Sequence, residues 1–473
     1  MGEQLRNRLS TALRSKDVVQ SSSIVDAGNL ASSHYKSKLS PLRYKIRSVF
    51  LPLIIKETEI LDKMQRKIRN PILDFYFAWS ANLASHTFYV LMLPAPAWLG
   101  ASTLLRDLVY VLGFGIYLTG NLKDFLCLPR PRSPPLHRIT MSSYTTQEYG
   151  VPSSHSANAV AVTLVILWKL LEYRNEFNTN FVIGGFIFLI LYCFSLVFGR
   201  IYCGMHGFLD VLTGAAIGIL CFSFRFFLGE AWDNWLLSSH NDTFFGIIST
   251  PIMIVGGYVL LIHIHFEPAD DCPCFDDSVA FVGVLIGLDL SHWFCILTQH
   301  LVDKNPYGDP LLIYFDTRDS KYLNGFLRIL LGVLLVAIWK TISKPIIFTI
   351  LPPVYKYIGI YLPRRNYSST AFSSEPTRKI RSQSLSNISE GSLANLNKFI
   401  KGVTDHEKKD RQGPETEIDY YAMLESEKMT NLKVPQVFRP RYDVEIVGRL
   451  IVYAGISVTA IWGFTIGTEI LHL

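Results

Sequence analysis

Apolar residues gather in runs about as long as a helix needs to cross a bilayer, roughly 20 residues. These runs lie near 72–93, 103–121, 156–172, 181–199, 208–227, 246–264, 279–298, 324–342 and 446–467. A tenth, 345–362, carries "LPP" in its middle and reads as re-entrant or as a broken span. The stretch "SVFLPLIIKETEILDKMQ" (48–65) is too charged to span and predicts an amphipathic helix on the membrane surface. The pattern therefore predicts an all-α, polytopic transmembrane helix bundle of about 8–10 spans.

Polar segments divide the chain. Residues 1–70 are Ser-rich and basic, a mobile tail without the apolar h-region of a cleavable signal peptide. Residues 71–362 form the transmembrane domain, 363–445 a hydrophilic, Ser-rich disordered loop, and 446–473 a C-terminal span. Within the loop, "RKIRSQSLSNISEGS" places basic residues ahead of serines, which suits a basophilic kinase as well as a plain solvated loop. The chain ends in "ILHL", which is no retention signal.

Composition agrees: 49% of residues are hydrophobic, 18% charged, and mean hydropathy is +0.25. A net charge of +6 reads as membrane-surface bias, and with no aromatic-interleaved basic platform it excludes a nucleic-acid partner. Cys127, Cys193, Cys203, Cys221 and Cys295 lie in or beside apolar runs, where a thiol behaves as a small hydrophobe. The pair in "CPC", Cys272 and Cys274, is a weak metal or redox motif.

Charge interrupts the apolar runs at three places. "KDFLCLPRP" (123–131) follows the second span, "VPSSHS" (151–156) opens the third, and "GRIYCGMHGFLD" (199–210) joins the fourth to the fifth. Because the chain changes side with each span, all three meet at one membrane surface. Lys123, Arg130 and Arg200 supply cations there, an Arg binding phosphate oxygens in pairs and a Lys acting as a point charge. Ser153 and Ser154 stand at a helix start, where backbone N–H groups favour an anion. His206 and Asp210 are four apart and share a helical face. A carboxylate on Nδ1–H leaves Nε2 free as a nucleophile, and His155 is a second imidazole able to move a proton. A lone Arg or His at a membrane edge is commonly a snorkelling residue, but so many converging ionisable groups mark a functional site. Asp124 and Asp210 are too few acids for a carboxylate metal cage. The cluster reads as a metal-independent oxyanion site with no cofactor.

These clusters have the spacing of the type 2 phosphatidic acid phosphatase superfamily, whose motifs are K-x6-R-P, P-S-G-H and S-R-x5-H-x3-D. Lys123, Arg130 and Pro131 match the first, Pro152 to His155 the second, and Arg200, His206 and Asp210 the third, with a motif core over 110–227. Two positions depart from it: Gly199 replaces the Ser of the third motif and Ser154 the Gly of the second. "CLPRPRSPPLHRIT", "LVFGRIYCGMHGFLDV", "DDCPCFDDSVAF" and "ISKP" further resemble the fungal long-chain sphingoid base 1-phosphate phosphatases of the endoplasmic reticulum. The resemblance implies a lipid phosphatase in which His206 attacks phosphorus, Asp210 orients it and His155 serves as acid, then base. Lys123, Arg130, Arg200 and the backbone at Ser153 and Ser154 would hold the phosphate oxygens. The substrate would be a sphingoid base 1-phosphate drawn from the membrane, with Asp124 or Glu148 facing its ammonium.

Rival readings are a phosphatase of phosphatidate, diacylglycerol pyrophosphate or dolichyl pyrophosphate, and an anionic-lipid transporter that uses the cations for binding alone. Sidedness stays open. The basic tail precedes an even number of spans and places tail and site in the cytosol. The resemblance implies a luminal site, and the acidic loop "FEPADDCPCFDD" (266–277) on the site's side favours the lumen. A further span hidden near 48–65 would reconcile the two. The sequons at Asn241, Asn366 and Asn387 offer a test.

Overall fold

A computed structural model describes residues 26–141, 147–236, 243–270, 272–297, 322–358 and 441–472. The Ser-rich segment of 363–440 and the three sequons lie outside the described residues. Among those residues the chain is all-α, with no strand. Seven helices are long and apolar enough to cross a membrane. They are α7 (Ser154–Glu172), α8 (Thr179–Tyr202), α9 (Phe208–Leu236), α10 (Phe244–Ile264), α11 (Cys274–Leu297), α12 (Tyr322–Tyr357) and the C-terminal Val444–Leu471. The last is α13 (Val444–Val458) and α14 (Phe464–Leu471) joined through a π-turn, Thr459–Gly463. The protein is a multi-pass membrane protein.

Three features differ from the hydropathy pattern. The run over 72–93 is not one span. It breaks into α3 (Pro71–Ser80), a 3-10 turn (Ala81–Ala84), α4 (His86–Met92) and α5 (Ala95–Trp98). Ser85 caps α4 through its hydroxyl and so ends the preceding turn. The runs 324–342 and 345–362 merge into the single 36-residue α12, which passes through Pro345, Pro352 and Pro353. At about 1.5 Å per residue it outreaches a hydrocarbon core of about 30 Å. The N-terminal boundary also shifts: α1 (Ser32–Lys38) and α2 (Pro41–Ile68) are helices, with Ser40 capping α2. α2, which covers 48–65, is not among the helices long and apolar enough to cross a membrane. α2 lies beside the end of α6 (Ser102–Leu126), its Arg43 donating to the carbonyls of Asp124 (2.5 Å) and Phe125 (3.0 Å).

α6 runs through the centre and is buried along most of its length. Arg106 and Asp107 at one end and Lys123 and Asp124 at the other keep it out of the apolar set. At the first end Arg106 pairs with Asp233 (2.5 Å) and Asp289 (3.3 Å), while Asp107 pairs with Arg225 (2.7 Å). α7 and α9 cross closely because Gly214 and Gly218 let the backbones approach. An added Cβ would lie 2.3 Å from the Ser153 carbonyl oxygen and 2.4 Å from that of Ala157. This crossing brings the second and third polar clusters together.

Candidate active site

The end of α6, the loop that follows it, the start of α7 and the α8–α9 junction converge at one end of the bundle. Lys123, Arg130, Ser153, Arg200, His206 and Asp210 are all buried there. His206 sits on the short link between α8 and α9. Its Nδ1 lies 3.2 Å from Asp210 Oδ2. That oxygen also accepts from the Gly207 backbone N–H at 2.9 Å, which locks the link to the first turn of α9. On the other side, Arg130 Nη1 donates to His206 Nε2 at 2.9 Å. A ring whose Nδ1 faces a carboxylate and whose Nε2 accepts from a guanidinium is the neutral Nδ1–H tautomer, with its lone pair on Nε2. Burial, aided by the charges of Arg130, Lys123, His155 and Arg200, holds the imidazole well below its ordinary pKa. Burial also lowers Arg130, to about 10, which leaves it cationic at neutral pH.

Glu148 organises the cations. Its carboxylate accepts from Lys123 Nζ and lies 3.6 Å from Arg130 Nη2, and its carbonyl accepts from Arg130 Nε at 3.0 Å. Arg130 Nη1 also donates to the Met205 carbonyl at 2.8 Å. Lys123 Nζ reaches Ser154 Oγ at 3.5 Å. Arg200 is buried at the end of α8, its Nε without a hydrogen-bond partner among the described residues. These donors fit a tetrahedral oxyanion. His155, partly exposed, opens α7 next to them.

Two expectations change. The Ser153 backbone N–H, expected to hold a phosphate oxygen, donates instead to the Asp210 carbonyl at 2.8 Å. Its side chain caps α7 by accepting from the Ser156 N–H at 3.3 Å. Ser153 thus ties the second motif to the third. Asp124, one of the two acids expected at the substrate ammonium, turns away from Lys123 toward His265 and α11. Glu148 is the acid at the cluster.

Residues 104–231 match the model of the PAP2 superfamily. A dihydrosphingosine 1-phosphate phosphatase of Saccharomyces cerevisiae is 42% identical over 340 residues, 71% of this chain and 78% of that protein. A second, of Schizosaccharomyces pombe, is 34% identical over 419 residues, 88% of each chain. The chain belongs to the PAP2 superfamily. Human sphingosine-1-phosphate phosphatase 2 is 29% identical over 237 residues, 49% of this chain and 56% of that one. No solved structure matches.

Within this PAP2 core the two departures have physical reasons. A Cβ at Gly199 would meet the Phe77 ring of α3 at 2.9 Å, so this position faces packing. The hydroxyl that Ser154 adds points at Lys123. The structure also adds Glu57, which spacing does not reveal. From α2 it reaches the N-terminus of α9, accepting from the Leu209 N–H at 3.0 Å. Burial raises its pKa. The amphipathic pattern of 48–65 was the one signal that this segment lies against something apolar.

Proposed function

We propose that the chain is a lipid phosphate phosphatase that hydrolyses long-chain sphingoid base 1-phosphates to the free base and phosphate, through a phosphohistidine on His206. The observation that carries the reading is His206 set between Asp210 at Nδ1 and Arg130 at Nε2. The names of the fungal relatives supply the substrate class.

Nε2 attacks phosphorus and the P–O bond to the sphingoid C1 oxygen breaks. His155 gives that oxygen its proton. His155 then takes a proton from water as the water attacks the phosphohistidine, releasing phosphate and restoring His206. Asp210 offsets the charge that builds on the ring. Lys123, Arg130, Arg200 and the Ser154 hydroxyl hold the phosphoryl oxygens as charge redistributes. These cations perform the electrostatic work a divalent metal does elsewhere, so the reaction is metal-independent. The ammonium on C2, close to the phosphate, meets Glu148.

The enzyme resides in the endoplasmic reticulum membrane with its site facing the lumen. The family resemblance carries this orientation against the positive charge of α2, which lies on the site's side.

The test is a phosphate-release assay on the purified full chain, with dihydrosphingosine 1-phosphate, phosphatidate, diacylglycerol pyrophosphate and dolichyl pyrophosphate side by side. The sphingoid base phosphate is hydrolysed with the highest kcat/KM. A higher value for another lipid overturns the substrate assignment. Activity abolished by EDTA and restored by Mg²⁺ overturns metal independence.

A further inference from the structure

The "CPC" turn takes no part in the phosphatase chemistry above. It closes the loop between α10 and α11, which folds over the end of α6 where Asp124 is buried. Neither carboxylate oxygen of Asp124 has a hydrogen-bond partner among the described residues, though the residue is fully enclosed. Burying a carboxylate in this way is costly unless something pairs with it. His265 Nδ1 lies 3.8 Å from Oδ2 but is already bonded to the Phe266 carbonyl at 2.8 Å. Lys123 and Arg43 act on the carboxylate by charge without bonding it, and two sulfur atoms come close. A carboxylate oxygen of Asp124 and the Sγ atoms of Cys272 and Cys274 all lie within 4.8 Å of one another, and all three residues are buried. Among the described residues no other group of His, Cys, Asp or Glu has this proximity.

We propose that Asp124, Cys272 and Cys274 form a binding site for a thiophilic divalent cation of the Zn²⁺ class. Two thiolates and one carboxylate select such an ion over Mg²⁺ or Ca²⁺, which prefer oxygen alone. Three protein ligands leave a fourth tetrahedral position for water. In the structure the two cysteines are joined as a disulfide, so the site belongs to the reduced protein. A dithiol reductant supplies the two electrons and two protons that convert the disulfide to two thiols, and is itself oxidised to a disulfide. Cation binding then displaces the two thiol protons. The site adjoins the phosphate cradle at two points. Asp124 follows Lys123 in α6, and the Asp270 N–H of the same loop donates to Tyr149 Oη at 2.9 Å, next to Glu148.

The test uses the purified full chain in detergent, reduced with a phosphine that does not bind metals and titrated with Co²⁺. One Co²⁺ per chain binds, giving a sulfur-to-metal charge-transfer band that added Zn²⁺ removes. The disulfide form gives no band, a comparison that needs no substitution. Five further cysteines are free, so the Cys272→Ser/Cys274→Ser variant is the control, and it loses the band. Asp124→Asn keeps the band and weakens binding by roughly tenfold or more, since even outer-shell partners of a metal are worth ~10–100-fold. A reduced wild-type chain without a stoichiometric band overturns the proposal. So does an equal band in the double variant, or unchanged affinity in Asp124→Asn.

Discussion

His206 carries its lone pair on Nε2 because its Nδ1–H donates to Asp210, and burial, aided by the surrounding cations, keeps the ring neutral. The sign follows for pH. A nucleophile that must be unprotonated, with its pKa depressed, keeps the acid limb of kcat/KM below the ordinary histidine value of about 6.5. A limb at or above that value in a pH–rate profile contradicts the environment described. Stability responds in the same direction: as pH falls through about 6.5 the unfolded chain takes up a proton that folded His206 refuses, so stability declines. His155→Ala lowers kcat by about 10²–10⁴-fold, the usual worth of a general acid–base imidazole, while His206→Ala abolishes turnover. On the proposed assignment Glu148→Gln removes the anion that meets the ammonium, so the ratio of kcat/KM for sphingoid base phosphate to that for phosphatidate falls. An unchanged ratio excludes Glu148 from substrate choice. The convergence of Lys123, Arg130, His155, Arg200, His206 and Asp210 was legible because ionisable side chains at fixed spacing interrupt apolar runs. That Glu148 bridges Lys123 and Arg130 was not, because the bridge forms across 25 residues with no motif around the acid.

At the scale of elements, the site depends on α7 and α9 meeting closely. Gly214→Val places branched carbon where the Ser153 carbonyl sits 2.3 Å from an added Cβ. It separates the helices and breaks the bond from the Ser153 N–H to the Asp210 carbonyl. Thermal unfolding in detergent at a lower Tm, together with lost activity, is the expected outcome; a wild-type Tm contradicts the seam. α2 acts from outside the bundle as a cap on α9. Removing that contact with Glu57→Ala costs about 0.5–2 kcal/mol, as for other helix caps. The seam was not read from the sequence, because the glycines of "GAAIG", Gly214 to Gly218, lie unmarked inside an apolar run. The docking of α2 was not visible, since charge balance in a segment says that it stays out of hydrocarbon but not what it leans on. α12 was misread as two runs because its central Ser343 and Lys344 look like a boundary, although the helix continues through them.

Across the whole molecule, α6 is anchored by charge at both ends: the phosphate cradle at one, and Arg106 with Asp233 and Asp289 at the other. Removing one member of a buried ion pair leaves a charge uncompensated, which costs about 3–5 kcal/mol. Asp289→Ala therefore lowers Tm strongly although it lies at the opposite end from the chemistry. These acids do not stand out in the sequence because they lie 127 and 183 residues from Arg106, and only folding brings them to it. Orientation is also a property of the whole chain. A single reactive cysteine at position 133, in place of Ser133 in the loop between Arg130 and Ser153, is labelled by an impermeant maleimide only after the microsomal membrane is opened. Labelling of sealed microsomes contradicts a luminal site. The central claim is tested most directly by rapid alkaline quench of the full chain turning over dihydrosphingosine 1-phosphate that carries a radiolabelled phosphoryl group. Base-stable, acid-labile label is expected on the peptide containing His206, and none in His206→Ala. Steady turnover with no trapped label, or label on another residue, would contradict it.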